Sequence, residues 1–332
     1  MTAATYDVLG IGNAIFDIMA QTDDAFLGSH GMAKGSMSLI DEARAKAIYD
    51  AMGPATEISG GSAANTIVGI ASFGGRAAFV GKVKDDKIGK LYTHDIRAAN
   101  VTFTTSAATD GVATGCSYIL VTPDGERTMN TYLGAAQNLS PADIDEQQIA
   151  SAAVTYLEGY LWDPKDAKEA FVKASKIAHG VGRQVALTLS DAFCISRYRS
   201  EFVDLIRGGT VDIVFANESE LLSLYESNDF DAALKQLRTD AKLAAVTRSE
   251  KGCVVVAKDS VTAVAASPVA KVVDTTGAGD LFAAGFLYGL AINAGHQRAG
   301  ELGCLAAAEV IQHIGARPQV SLKELARKKL AG

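Results

Sequence analysis

Four cysteines are all that 332 residues contain, and Cys116, Cys194, Cys253 and Cys304 are scattered, with no CxxC pair. No histidine stands at metal-ligand spacing from them. That pattern excludes a zinc ribbon or a disulfide-stapled secreted fold and reads as buried thiols in a reducing compartment. Positive charge is short as well: 31 Lys and Arg against 38 Asp and Glu leave a net charge of −7. A polyanion binder works by neutralising phosphates with lysine and arginine, so nucleic acid is not an expected partner. A small anionic ligand stays possible, because local dipoles rather than net charge hold it. No stretch supplies the roughly eighteen uninterrupted apolar residues of a membrane span. The opening MTAATYDVLGIG has no basic n-region, so a cytoplasmic protein without a membrane partner is expected. Also missing are a GxxxxGK[ST] motif, which excludes P-loop kinases and ATPases, and any internal repeat, low-complexity tract or proline-rich linker.

What the chain does have is alternation. Short β-branched runs at 6–12, 77–81, 153–159, 184–190, 212–217, 243–249 and 252–257 read as buried strands. Helix-period stretches lie between them at 41–52, 63–73, 86–99, 164–180, 197–207, 218–226 and 231–239, and three helices close the chain at 280–294, 298–314 and 322–330. Apolar strands separated by helices imply a mostly parallel sheet covered on both faces. Two segments break the rhythm. Residues 29–40 carry the short alternating GSMSLI. Residues 101–135 hold strand-like alternation with turns at Asp110-Gly111 and Pro123-Asp124-Gly125 and no helix. Both are expected to form a small β lid over a body made of 1–28, 41–100 and 136–332, at the sheet edge where open α/β folds bind ligands.

Within VVDTTGAGDLFAAGF, at 272–286, three small residues, Gly277, Ala278 and Gly279, precede Asp280 and an apolar helix. Glycine loses more backbone freedom on ordering than any other residue, so stability alone does not explain the run. It makes sense where bare N–H groups at a helix N-terminus must approach an anion, since those donors lack partners and the dipole there is positive. A carboxylate beside that anion is badly placed to bind it and well placed to take a proton. The plainer alternative leaves Asp280 as a helix-start residue. In EISGGSAANTIVGI, Gly60 and Gly61 precede Ser62 and Asn65. A sugar's vicinal hydroxyls suit that mixture; the alternative is a packing turn with Ser62 as N-cap. In GIGNAIFDIMA, the third glycine of GxGxxG falls on Ile15, so the dinucleotide fingerprint fails. Asp17, among apolar neighbours, needs either two ligand hydroxyls or an internal hydrogen bond. Asn217, Glu218 and Glu220 sit at a strand-to-helix joint, where they either cap the helix or organise waters around Mg²⁺.

Together and in this order, these pieces resemble the PfkB (ribokinase-like) family of carbohydrate and nucleoside kinases. GGSAANTIVGIASFGGRAAFVGKV is similar to the family's N-terminal signature and DTTGAGDLFAAGF to its C-terminal one. NESE resembles its N-x-x-E element, and TRSEKG its T-x-G-x-x-G nucleotide turn, with Ser249 in place of the middle glycine. The resemblance covers essentially the whole chain. It implies an α/β fold, a doubly wound, mostly parallel sheet sandwiched by helices, with a small β-sheet lid. It implies Asp280 as the base for the substrate hydroxyl, with the N–H groups of Gly277, Ala278, Gly279 and Asp280 as an anion hole for the γ-phosphoryl group of ATP. Substrate contacts are implied for Asp17, Gly60, Gly61, Asn65 and Glu158. The implied nucleotide site uses Asn217, Thr247, Gly252, Gly277, Gly279, Ala307 and Ile311. Asn217 and Glu220 would organise Mg²⁺ through water, and Asp274 and Thr276 match a K⁺ site of several members.

Within the family, GIGNAIFDIMAQTDDAFL, MNTYLGAAQNLSPADI, YLEGYLWD and AAAEVIQHIGARP look like adenosine-kinase-type members. The expected reaction is then transfer of the γ-phosphoryl group of ATP to the 5′-hydroxyl of a ribonucleoside, adenosine first. A base wants an apolar, partly aromatic wall, where stacking contributes about 1–3 kcal/mol. Phe16, Met37, Leu39, Tyr118, Met129 and Leu133 offer one, or else form the lid's own core. Two alternatives stand: a sugar kinase of the ribokinase, fructokinase or 2-keto-3-deoxygluconate kinase type, and a non-catalytic nucleoside or sugar sensor. Either a monomer or a lid-paired homodimer fits.

Overall fold

Strands that are apolar on both faces need helices above and below them, and that is how this chain is arranged. The structure is a computed structural model that describes residues 4–330; residues 1–3 and 331–332, at the ends of the expected body segments, lie outside the described residues. The first strands are β1 (Tyr6–Ile11), β2 (Ile15–Gln21), β3 (Met37–Leu39), β4 (Ala55–Gly60), β5 (Ala77–Val80), β6 (Val101–Phe103), β7 (Gly115–Val121) and β8 (Arg127–Tyr132). They are followed by β9 (Ala152–Glu158), β10 (Gln184–Thr188), β11 (Ile213–Asn217), β12 (Leu243–Thr247), β13 (Cys253–Ala257) and β14 (Ser260–Val264). The helices are α1 (Asp24–Ser29), α2 (Glu42–Ala51), α3 (Ser62–Ser72), α4 (Lys87–Ala98), α5 (Glu146–Ala150) and α6 (Lys165–Gly180). The rest are α7 (Ala192–Arg207), α8 (Glu218–Leu224), α9 (Phe230–Asp240), α10 (Ala278–Ala291), α11 (Gly295–Val310) and α12 (Leu322–Lys329).

Nine strands form the main sheet in the order β14-β13-β12-β11-β10-β9-β1-β5-β6. It is parallel from β6 to β12, while β13 and β14 are antiparallel. The reversal at β12–β13 follows from length: residues 248–252 suffice for a hairpin but not for a crossover helix. Alternation along β1 divides the core, with Val8 packing on the side of α3, α10 and α11, and Leu9 and Ile11 on the side of α6 to α9. From β1 the chain steps outward to β5 and β6, then returns to build β9 to β12 on the other side. The C-terminal ends of β1 and β9 therefore flank a crevice where strand order reverses, the place at which open α/β sheets bind ligands.

A second sheet has the order β3-β8-β7-β2-β4. The segments 29–40 and 101–135 supply β3, β7 and β8, whereas β6 joins the main sheet and β2 and β4 come from outside those segments. Residues 271–273, before the Gly277 run, form no strand; the Val273 N–H is bound to the Ile311 carbonyl (2.8 Å). Of the two readings of Gly60-Gly61, the one with Ser62 as N-cap does not hold, because the N-cap of α3 is Gly61 at φ 96°.

Ser249, where the family motif has glycine, lies in the left-handed region at φ 51°. For an L-residue this costs roughly 1–2 kcal/mol, and glycine would give back roughly 0.5–1 kcal/mol in unfolded-state freedom. Ser249→Gly is expected to leave stability unchanged or slightly raised; a lower midpoint in urea would contradict strain at this turn.

Candidate active site

α10 starts from Gly277 at φ 78°, a conformation that glycine adopts without strain, and Ala316 packs where its side chain would be. Among the described residues, nothing accepts from the N–H groups of Gly277, Gly279 or Asp280, while the Ala278 N–H is turned back to the Thr275 carbonyl (3.2 Å). The expected four-donor hole is thus three free donors. Gly279 faces open space on its side-chain side. Asp280 lies in the first turn and accepts hydrogen bonds from Ser62 Oγ (2.6 Å) and Asn65 Nδ2 (3.0 Å). Burial pushes its carboxyl up to about 6, against those two hydrogen bonds and the charge of Arg317.

Asp17 projects from β2 into the same space. No described residue donates a hydrogen bond to it, and burial pushes its carboxyl up to about 7, with Arg317 and Arg127 opposing and Asp280 adding to the rise. A β-carbon on Gly60 would collide with this carboxylate, and one on Gly61 with the Asn13 carbonyl, so this glycine pair makes room for the site. Glu158, expected among the substrate contacts, is only 1% exposed and fully engaged. It accepts from Asn13 Nδ2 (2.7 Å), the Asn13 N–H (3.3 Å) and the Ala63 N–H (2.8 Å), so it braces the β1–β2 turn against α3. Burial raises its carboxyl to about 7. Asn13 and Asn65 each keep a buried Oδ1 without a partner. Two such acceptors beside the unpaired Asp17 call for ligand donors, since unmet buried polar atoms are costly.

On the nucleotide side, Asn217 and Glu220 form a reciprocal capping box. Asn217 Oδ1 accepts from the Glu220 N–H (2.8 Å), while Glu220 accepts from the Asn217 N–H (3.0 Å) and Nδ2 (2.6 Å). Burial raises the Glu220 carboxyl to about 7. Each Glu220 oxygen keeps a lone pair, and among the described residues no group of three His, Cys, Asp or Glu could hold a metal. That donor set suits Mg²⁺ carried by nucleotide phosphates and its own waters, with Glu220 reaching it through water. Thr247 ends β12 beside Asn217, and Gly252 closes the turn into β13. Ala307 lies in α11, and the carbonyl of its C-cap, Ile311, accepts from Val273 and Asp274. Asp274 and Thr276 do not fit a monovalent cation. The Asp274 carboxylate already holds Arg127 Nη2 (2.6 Å) and the N–H groups of Thr276 (3.0 Å) and Gly315 (2.8 Å).

Strand register decides which lid residues face this cleft. Asp17 pairs with Ser117, which pairs with Thr131, so these share a face, and Leu39 continues the row. The next row on that face is Met19, Ile119, Met129 and Met37. Phe16 and Tyr118 alternate with them and point the other way, Tyr118 packing against Tyr49 of α2 (ring centroids 6.2 Å apart). Leu133 follows β8 and opens the 3-10 turn Gly134–Asn138. Of the expected wall, Met37, Leu39 and Met129 lie on the cleft face while its aromatic members Phe16 and Tyr118 do not, and the row beside Asp17 is three thioethers and Ile119.

Asn13, Arg127 and Arg317 were not singled out from the sequence. Asn13 lay inside a quoted glycine turn and Arg317 inside the quoted IGARP, but single polar residues in turns carry no periodic signal.

Sheet, crevice and donor-lined helix start place the molecule among ribokinase-like phosphotransferases with an alcohol acceptor. The chain belongs to the pfkB family carbohydrate kinases, whose pattern it matches over residues 48–322. It is similar to the crystal structure of an adenosine kinase from Sinorhizobium meliloti: 56% identity, covering 98% of this chain and 99% of that one, TM-score 0.92. A Rhizobium etli structure described as a probable sugar kinase is 52% identical, covers 98% of both chains and has a TM-score of 0.92. Fructokinase-1 of Oryza sativa subsp. japonica is 31% identical over 234 residues, 69% of this chain and 72% of the rice protein. The protein is an ATP-dependent kinase of this family, with Mg²⁺ as the usual companion of the nucleotide. Among the described residues, no helix is long and apolar enough to cross a membrane.

Proposed function

We propose that this kinase phosphorylates the 5′-hydroxyl of a ribonucleoside, adenosine first. The observation that carries the reading is Asp17, a cleft carboxylate with no hydrogen-bond donor of its own, on the same lid face as Met19, Met129 and Met37. A ribose accepts this geometry: its 2′- and 3′-hydroxyls donate to Asp17, its base lies on the thioether row, and C5′ turns toward Asp280. Methionine side chains adapt to a flat ring and make sulfur–aromatic contacts. Asp280 takes the proton from the 5′-hydroxyl, the oxygen attacks the γ-phosphorus, and ADP leaves. The N–H groups of Gly277, Gly279 and Asp280 stabilise charge on the transferring group, where such fixed donors act most strongly. Asn217, Thr247, Gly252, Ala307 and Ile311 line the nucleotide, and bound Mg²⁺ neutralises phosphate charge. Potassium has no part in this reading, because Arg127 already neutralises Asp274. A reducing, cytoplasmic setting belongs to the same reading.

The sugar-kinase reading has one observation on its side: Ser117 Oγ and Thr131 Oγ1, 2.9 Å apart, lie in the row beside Asp17 and suit further hydroxyls. A thermal-shift panel separates the two, since a ligand stabilises in proportion to its affinity for the native state. Adenosine and other ribonucleosides are expected to raise Tm, with ribose, fructose and 2-keto-3-deoxygluconate leaving it unchanged. The reverse pattern would overturn the nucleoside assignment.

A further inference from the structure

Two glycine turns, Gly60-Gly61 and Gly277 to Gly279, must hold a fixed separation if Asp17, Asn65 and Asp280 are to meet one substrate. They lie on different elements, and one short stretch touches both. The Gly315 N–H binds Asp274 Oδ2 (2.8 Å), and Ala316 packs on Gly277. Arg317 then reaches across: Nε (3.1 Å) and Nη2 (2.6 Å) donate to the Ser59 carbonyl at the end of β4, and Nη1 (3.0 Å) donates to the Ala64 carbonyl in α3. Nη2 also meets Ser59 Oγ (3.1 Å).

We infer that Arg317 is a positioning residue for phosphoryl transfer, a fork that locks the substrate-side glycine turn to the anion-side one and sets a fixed positive charge beside Asp17 and Asp280. The inference rests on the assignment of Asp280 as base. The planar guanidinium suits this task because its N–H groups diverge at fixed angles, which a lysine ammonium cannot copy. The charged or titratable groups facing Arg317 are Asp17 from β2, Asp280 from α10, and Tyr92 and Asp95 from α4. Asp17 also faces Arg127 of β8, while Tyr156 and Glu158 of β9 and Tyr160 in the turn after it feel Asp280. Arg317 opposes the burial that favours the protonated form of both site carboxyls.

The test is the pH profile of kcat/KM for Arg317→Gln and Arg317→Lys, with Asp280→Asn alongside. In Arg317→Gln the acid limb is expected to move up by roughly one pH unit, as for a carboxylate losing a nearby opposite charge. Its kcat on the alkaline plateau is expected to fall by about 10–100-fold, because small misplacements at a reacting centre are costly. Arg317→Lys should return the limb to its wild-type position while recovering only part of kcat. An unmoved limb in folded Arg317→Gln, or a lysine variant matching it in both readouts, would overturn the inference. Should Arg317→Gln not fold, the lysine variant decides alone, and wild-type kcat would then refute the fork. Persistent turnover in Asp280→Asn would instead overturn the base assignment, so the two failures are distinguishable.

Discussion

Asp280→Asn is expected to lower kcat by at least about 10³-fold, toward the upper part of what a positioned general base contributes. The substitution keeps the shape of the side chain and lets one oxygen go on accepting from Ser62, so the start of α10 should hold its geometry. What disappears is the proton acceptor. In the wild-type enzyme, activity needs the ionised form of Asp280, which is present above about 6 and lost as pH falls through that value. The acid limb of kcat/KM should therefore lie near pH 6 to 7 in the parent enzyme, where Asp280 and Asp17 ionise, and the share of it due to Asp280 should be missing in the variant. Steady-state turnover from pH 5 to 9 measures both. A variant within tenfold of wild type would remove the base from the mechanism and bring the sensor alternative back.

Asp17→Asn should act on binding rather than on chemistry and raise KM for the nucleoside by about 10²-fold, the size expected when hydrogen bonds to a charged acceptor are weakened. A 2′-deoxynucleoside should show much of that loss with the wild-type enzyme and little further loss with the variant, because both changes remove the same contact. Stability should move the other way. The folded-state pKa of Asp17 is raised to about 7, so its ionised form destabilises the ligand-free fold above that pH, and the penalty shrinks as pH falls toward the ordinary carboxylate range. The Tm of Asp17→Asn should thus exceed that of the parent at pH 8, with the gap narrowing by pH 5. Equal KM values for the two proteins would disconnect Asp17 from the substrate; a lower Tm at pH 8 would show that the carboxylate has a hidden partner.

Most of the architecture was legible because it rests on local patterns. Buried parallel strands such as Ile213–Asn217 are continuous apolar runs, and amphipathic helices such as Lys87–Ala98 repeat at helical spacing. Both signals survive without knowledge of neighbours. The glycine turns were legible for a related reason: a run such as Gly277 to Gly279 has no local benefit and so points to a ligand. β2 is absent from the expected strands although Phe16, Ile18 and Ala20 alternate with Asp17, Met19 and Gln21, because Ile15 and Met19 put apolar residues on the other face too and blur the period of two.

Order along the chain was enough to place a proton acceptor at a helix start, a carboxylate among apolar neighbours and a doubly wound sheet around them. Three things waited for the folded molecule. Only strand register could turn Tyr118 away from the cleft and Met129 toward it, since a side chain's face depends on its partner strand and not on its own identity. Glu158 became a brace when Asn13 and Ala63, far away in sequence, closed around it. Arg127 and Arg317 took their places through contacts with Asp274, Ser59 and Ala64 at separations of well over a hundred residues. Local pattern records what a segment must bury; long-range charge and hydrogen-bond partners exist only once the sheets have brought their loops to one edge.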